Sequence, residues 1–141
     1  MLYPQGSPSL SHVDLAQLAG LHVGSIPNSM VSSLGPKYTR AFYHYLETSP
    51  DEVLYLERKD GKIRSCFVLS LNPGTLKRRL LRSTPLISHA FRQLNRPKFW
   101  MRAIHSLLEK SATAKFPEVV LIFVDSNVRS QGTGARLMKL A

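Results

Sequence analysis

The stretch Glu118-Val119-Val120-Leu121-Ile122-Phe123-Val124-Asp125-Ser126-Asn127-Val128-Arg129-Ser130-Gln131-Gly132-Thr133-Gly134-Ala135-Arg136-Leu137-Met138 decides the reading of this chain. Its first half, introduced by Pro117, is nearly continuous apolar and β-branched, the pattern of a strand buried on both faces. A short polar loop follows, then two glycines at i and i+2, then a helical pattern from Thr133 to Ala141. Glycines at such a turn let the backbone approach a ligand closely. The start of the helix presents unpaired amides and a partial positive charge. The combination suits an anion such as a pyrophosphate, with Arg129 and Arg136 adding cationic side chains nearby. A P-loop would need a longer glycine spacing and a Lys-Ser/Thr pair, and both are absent. A dinucleotide fingerprint would need glycines directly after the strand and a third small residue where Leu137 stands.

Working outward, a Ser/Pro/Gly-rich leader spans residues 1–11. A first helix carries Leu15, Leu18, Ala19 and Val23 at helical spacing, with Asp14 near its start, and breaks at Pro27-Asn28. A second helix is expected over Pro36–Thr48, with Phe42, Tyr45 and Leu46 as its buried stripe. Val53–Arg58 and Ile63–Leu71 read as strands joined by the two-residue turn Asp60-Gly61, hence as a hairpin. After Asn72-Pro73-Gly74 comes a helical insert over 75–110, interrupted at Pro85 and Pro97 into pieces near 75–83, 86–94 and 98–110. A strand as apolar as 118–124 should lie between two neighbours. The hairpin supplies one, so the other side is expected to be missing, swapped or supplied by another chain, which makes a homodimer an expectation.

In this setting the segment Arg129-Ser130-Gln131-Gly132-Thr133-Gly134 resembles the Arg/Gln-x-x-Gly-x-Gly/Ala signature of the GNAT superfamily of acetyl-CoA-dependent N-acyltransferases. The flanking Phe123-Val124-Asp125 and Ala135-Arg136-Leu137-Met138 are similar to family members as well. The resemblance in element order covers about residues 12–141, and in residues it is sharp over about 118–138. It implies an α+β fold of GNAT type, an α/β/α sandwich with a mixed central sheet. Residues 12–141 would form a partial domain, since the family's next strand and helix would lie past Ala141. It further implies acetyl transfer from acetyl-CoA to a primary amine, with a small-molecule amine as the expected acceptor. Phe123 and Val124 would pair with the pantetheine arm, and Arg129, Ser130, Gln131, Gly132, Thr133 and Gly134 would hold the pyrophosphate. Glu118 is the candidate general base, acting through water; the alternative is a solvated strand-end glutamate beside Pro117. A backbone amide near Val124 is the candidate oxyanion donor, and Asp125 is read as a residue that orders the loop. Two departures stand out: the sequence shows no obvious first strand before the first helix, and the insert is unusually long.

The rest of the composition sets bounds. A chain of 141 residues, 43% hydrophobic and 9% aromatic, can bury a core and is not compositionally disordered. With one cysteine, Cys66, no internal disulfide is available, and a cytoplasmic location is the expectation. The five histidines (His12, His22, His44, His89 and His105) show no ligand-like clustering, so no metal is expected, and His22 and His44 read as helix-face or packing residues, not catalytic ones. The net charge is +10, and it is local: no acidic residue lies between Asp60 and Glu109, where ten Lys and Arg stand. Lys77-Arg78-Arg79 would steer coenzyme A by its phosphates. The competing reading of this charge is a non-catalytic module in which the basic insert binds nucleic acid or an anionic membrane.

Overall fold

A computed structural model of the chain describes residues 2–3, 9–83, 86–88, 116–128 and 135. The elements run β1 (Leu2–Tyr3), α1 (His12–Ser25), α2 (Met30–Ser33), α3 (Gly35–Thr48), β2 (Glu52–Lys59), β3 (Lys62–Ser70), α4 (Pro73–Arg82) and β4 (Glu118–Val124), followed by a single 3-10 turn at Ser126–Val128. The four strands form one sheet in the order β1-β2-β3-β4, and every pairing is antiparallel. The architecture is therefore α+β. A parallel pair, expected of a mixed sheet, is not present among the described residues.

The leader contains more structure than its composition suggested. Leu2 and Tyr3 pair with Tyr55 and Leu54 at the sheet edge, which supplies a strand before the first helix. Leu10 is buried, and Ser11 caps α1. The cap is reciprocal: the Asp14 amide donates to Ser11 Oγ at 3.1 Å, and the Ser11 amide donates to Asp14 Oδ2 at 3.1 Å. Asp14 also pairs with Arg58 Nη1 of β2 at 2.6 Å, which fixes the start of α1 against the sheet. The buried face of α1 is Leu15, Leu18, Ala19 and His22, at i, i+3, i+4 and i+7. His22 thus occupies the position that Val23 was expected to hold, and Val23 is half-buried.

In α3 the buried face is Tyr38, Thr39, Phe42, Tyr43 and Leu46. Tyr43 is fully buried where Tyr45 was expected, because a stripe through Tyr38, Phe42 and Leu46 rotates position 45 to its margin. Helices α1 and α3 pack together and cover the sheet face formed by Leu54 and Leu56 of β2, Cys66 and Val68 of β3, and Phe123 of β4. These residues are cross-strand partners: Leu54 opposes Val68, Leu56 opposes Cys66, and Cys66 opposes Phe123.

Strand β4 departs from the expectation of burial on both faces. Phe123 is buried at 5% exposure, Val119 to Ile122 and Val124 are half-buried, and Glu118 is exposed. The reason is positional. Strand β3 pairs with one edge of β4, and the helices reach it from one face, at Phe123. Helix α4 begins at Pro73, where a missing N–H costs nothing, so Asn72-Pro73-Gly74 opens a helix besides closing the hairpin. Of the further helical pieces, residues 86–88 are helical and Leu86 is buried. Residues 89–115 lie outside the described residues, as does the helix expected over 133–141 apart from Ala135.

The β2–β3 turn is as the sequence indicates. Asp60 and Gly61 both have positive φ, 53° and 71°, the geometry that matches strand twist in a two-residue hairpin. A Cβ built on Gly61 meets nothing within 4 Å, so any substitution there is penalised by the backbone alone. Gly61→Val should therefore destabilise the chain by about 1–2 kcal/mol, whereas Asp60→Gly should be nearly neutral, as read by urea or thermal unfolding. Equal losses at both positions would refute this account of the turn.

Candidate functional site

The site indicated by the sequence begins at the end of β4. The Asp125 amide donates to the Arg64 carbonyl at 2.7 Å, and Arg64 Nη1 donates to Asp125 Oδ2 at 2.8 Å. Arg64 is available for this because β3 carries one extra residue there: Arg58 opposes Ile63 while Glu57 opposes Ser65. The other carboxylate oxygen of Asp125 accepts from the Asn127 amide at 3.0 Å and from Asn127 Nδ2 at 3.0 Å. This local turn starts the loop that leads toward Arg129. The Asn127 amide first, and the Arg64 guanidinium second, hold the Asp125 carboxyl below the usual carboxylate range. Asp125 is thus a loop-ordering residue, as read from the sequence.

The same ladder orients β4. Since the Asp125 amide points at β3, antiparallel alternation also directs the amide of Phe123 toward β3 and that of Val124 toward the opposite edge. Phe123 is therefore bound into the core by both side chain and backbone, and Val124 is the residue whose peptide faces away from β3. Glu118 is exposed at the first position of β4 and opposite Ser70. Val124 lies six positions further on, about 20 Å along an extended strand, so the candidate base and the loop occupy opposite ends of β4. Arg129, Ser130, Gln131, Gly132, Thr133 and Gly134 lie outside the described residues.

The structure also shows a polar cluster beneath β4 that the sequence did not single out. His22, at 1% exposure, places Nδ1 2.7 Å from Tyr43 Oη and Nε2 2.9 Å from Ser29 Oγ. Proton accounting assigns the directions. The Ser32 hydroxyl donates to the Ile26 carbonyl at 2.6 Å, so the Ser29 hydroxyl donates to Ser32 Oγ at 2.9 Å. Ser29 Oγ then accepts from His22 Nε2–H, and Tyr43 Oη–H donates to Nδ1. The imidazole is ringed by edge-to-face aromatics, with centroids 5.7 Å from Tyr43, 5.6 Å from Phe123 and 6.4 Å from Phe42. Burial lowers the His22 pKa to about 4 and raises those of Tyr43 and Cys66 well above their ordinary values. His22 is therefore a neutral packing residue. The sequence signal for it was its spacing of seven from Leu15, and Ser29 three before Ser32 marked the short helix whose cap it meets.

The charges are less free than the sequence suggests. Arg79 pairs with Asp51 Oδ2 at 2.9 Å and with the buried Glu52 carboxylate, which also accepts from Ser70 Oγ at 3.1 Å. Arg79 and Arg64 are thus internally neutralised. Arg78 and Arg82 of α4 are exposed, as is Leu81. Among the described residues no three His, Cys, Asp or Glu side chains converge as metal ligands would. No helix there is long and apolar enough to cross a membrane. Comparison of the chain with protein-family models, with curated proteins and with solved structures finds no match.

The His22 cluster yields a pH signature. Its folded pKa lies below the unfolded value of 6.5, so its contribution is complete above pH 6.5 and is lost as pH falls toward 4. The displacement corresponds to about 3 kcal/mol. His22→Gln should flatten the stability profile across this window, and Tyr43→Phe, which leaves Nδ1 without a donor, should cost about 1–3 kcal/mol at pH 7. Urea unfolding as a function of pH measures both; an unchanged slope in His22→Gln would contradict the buried neutral imidazole.

Proposed function

We propose that this chain is a GNAT-type acyltransferase domain, which transfers an acetyl group from acetyl-CoA to a primary amine of a small molecule. The observation that carries the reading is one of order: strand, helices, hairpin, the inserted helix α4 and a fourth antiparallel strand, with four residues between that strand and the Arg129–Gly134 signature. Strand β1 supports it further, because a first strand before the first helix is what the family pattern requires.

In this reading the loop amides hold the pyrophosphate, and the pantetheine arm lies along the edge of β4 away from β3. Phe123 anchors that strand in the core, and the resemblance assigns Val124 to the arm along with it. The amine attacks the thioester carbonyl, a C–N bond forms, and the tetrahedral oxyanion is stabilised by an amide near Val124. Collapse breaks the C–S bond and releases the coenzyme thiolate. The ammonium must lose a proton before attack, and Glu118, acting through water, is the base that the resemblance offers. It stands about 20 Å along β4 from Val124, a span that one water does not bridge, so the separation counts against Glu118 in this role. A second reading, a basic module for nucleic acid or an anionic membrane, draws on the exposed Arg78, Leu81 and Arg82 of α4. It is weakened by the internal pairing of Arg64 and Arg79.

Calorimetric titration with acetyl-CoA should give saturable binding that is lost in the double variant Gly132→Asp/Gly134→Asp. Binding that survives the double variant, or is absent from a folded chain, would count against the pyrophosphate loop. Affinity that instead collapses steeply with salt and is lost in Arg78→Glu/Arg82→Glu would favour the basic module.

A further inference from the structure

A cleft of about 680 Å³ lies between the start of α1 and the outward face of α3. Its size falls in the range of small-molecule sites. Neither β4 nor the hairpin contributes to its lining. From α3 come Lys37, Arg40 and His44, at i, i+3 and i+7 and therefore on one helical face. Facing them are Ser11 and His12 at the start of α1. The floor is apolar, formed by Leu10, Leu15 and Ala41.

The electrostatics of this cleft are one-sided. No carboxylate lines it. The two acidic residues on the adjoining turns are already engaged: Asp14 in the α1 cap and with Arg58, and Glu47 with the Leu10 amide and with His44 at 3.5 Å. Lys37 and Arg40 are exposed, and neither has an ion-pair partner among the described residues. The cleft also lies against the positive end of the 14-residue α1. Two exposed cations, the imidazoles of His12 and His44 (the latter beside Glu47) and the Ser11 hydroxyl thus line one cleft with an apolar floor.

We infer that this cleft binds a small molecule through a phosphate group, with an apolar part of the ligand on the Leu10–Leu15–Ala41 floor. A phosphate dianion offers three acceptor oxygens to donors that arrive from two helices. A carboxylate, with one charge and two oxygens, matches the arrangement less well. The cleft repels a bare ammonium, so it is not where a simple amine would be held. The inference does not rest on the acetyl-CoA reading, because it uses no residue of β4 or of the glycine loop.

The test is titration of the full chain with phenyl phosphate, inorganic phosphate and benzoate, followed by calorimetry at low ionic strength. Phenyl phosphate should bind saturably, and more tightly than either inorganic phosphate, which lacks the ring, or benzoate, which lacks the dianion. Lys37→Glu/Arg40→Glu, with its fold verified by circular dichroism, should weaken phenyl phosphate about tenfold or more. Lys62→Glu, an exposed cation outside the cleft, should not. Gly132→Asp/Gly134→Asp should also leave it unchanged, so failure here is distinguishable from failure of the coenzyme site. The inference is overturned if a folded chain shows no saturable binding or if benzoate binds as tightly. It is likewise overturned if Lys62→Glu costs as much as the cleft variant, or if the glycine variant abolishes binding.

Discussion

The packing of Phe123 against the buried pair His22 and Tyr43 joins the helical layer to the last described strand. One imidazole meets α1, the cap of α2, α3 and β4 within a single set of edge-to-face contacts. Such a ring is stable only if both nitrogens are satisfied without charge, and the run from Tyr43 through His22, Ser29 and Ser32 to the Ile26 carbonyl satisfies each in turn. Loss of one member strands its neighbours, so the cluster specifies the seating of β4 as well as stabilising it.

From that seating the rest of the site geometry follows. With Phe123 directed into the core, alternation leaves Val124 facing the far edge, and Asp125 meets the extra residue of β3, Arg64. The Arg64–Asp125 pair does two things. It ends the strand in a defined turn, and it removes a cation from the surface. Arg79 is removed in the same way by Asp51 and Glu52, which ties α4 to the base of the hairpin. A charge count of +10 therefore overstates what the surface offers an anion. It also conceals where exposed cations stand together among the described residues: Lys37 and Arg40 on the outward face of α3, and Arg78 and Arg82 on α4.

Much of the fold was legible because its signals are local. The Asp60-Gly61 turn, the alternation of β2 and the helical spacing of Leu15, Leu18 and Ala19 each need only a few neighbouring residues. What was not legible depends on tertiary context. Leu2 and Tyr3 form a strand because β2 offers them an edge, and two residues carry no periodicity to read. A face or packing role for His22 is legible in its helix, but its partners Tyr43 and Ser29 lie on other elements that only the fold brings to it. The apolar run of β4 indicated a strand correctly, but burial on both faces is a property of neighbours, and the described elements cover one face. Of the candidate site, Asp125 was read correctly from its place after the strand. The roles of Glu118, Val124 and the Arg129–Gly134 segment remain proposals carried by resemblance.

The proposed coenzyme site stands or falls on the end of β4 and the glycine segment that follows it. The most direct measurement is an amide-resolved nitrogen-15 NMR titration of the chain with acetyl-CoA. The account predicts that shifts concentrate from Phe123 through Arg136 and leave the amides around Arg78 and Arg82 unmoved. Shifts confined to the basic helix α4, or none from a folded chain at millimolar coenzyme, would contradict it.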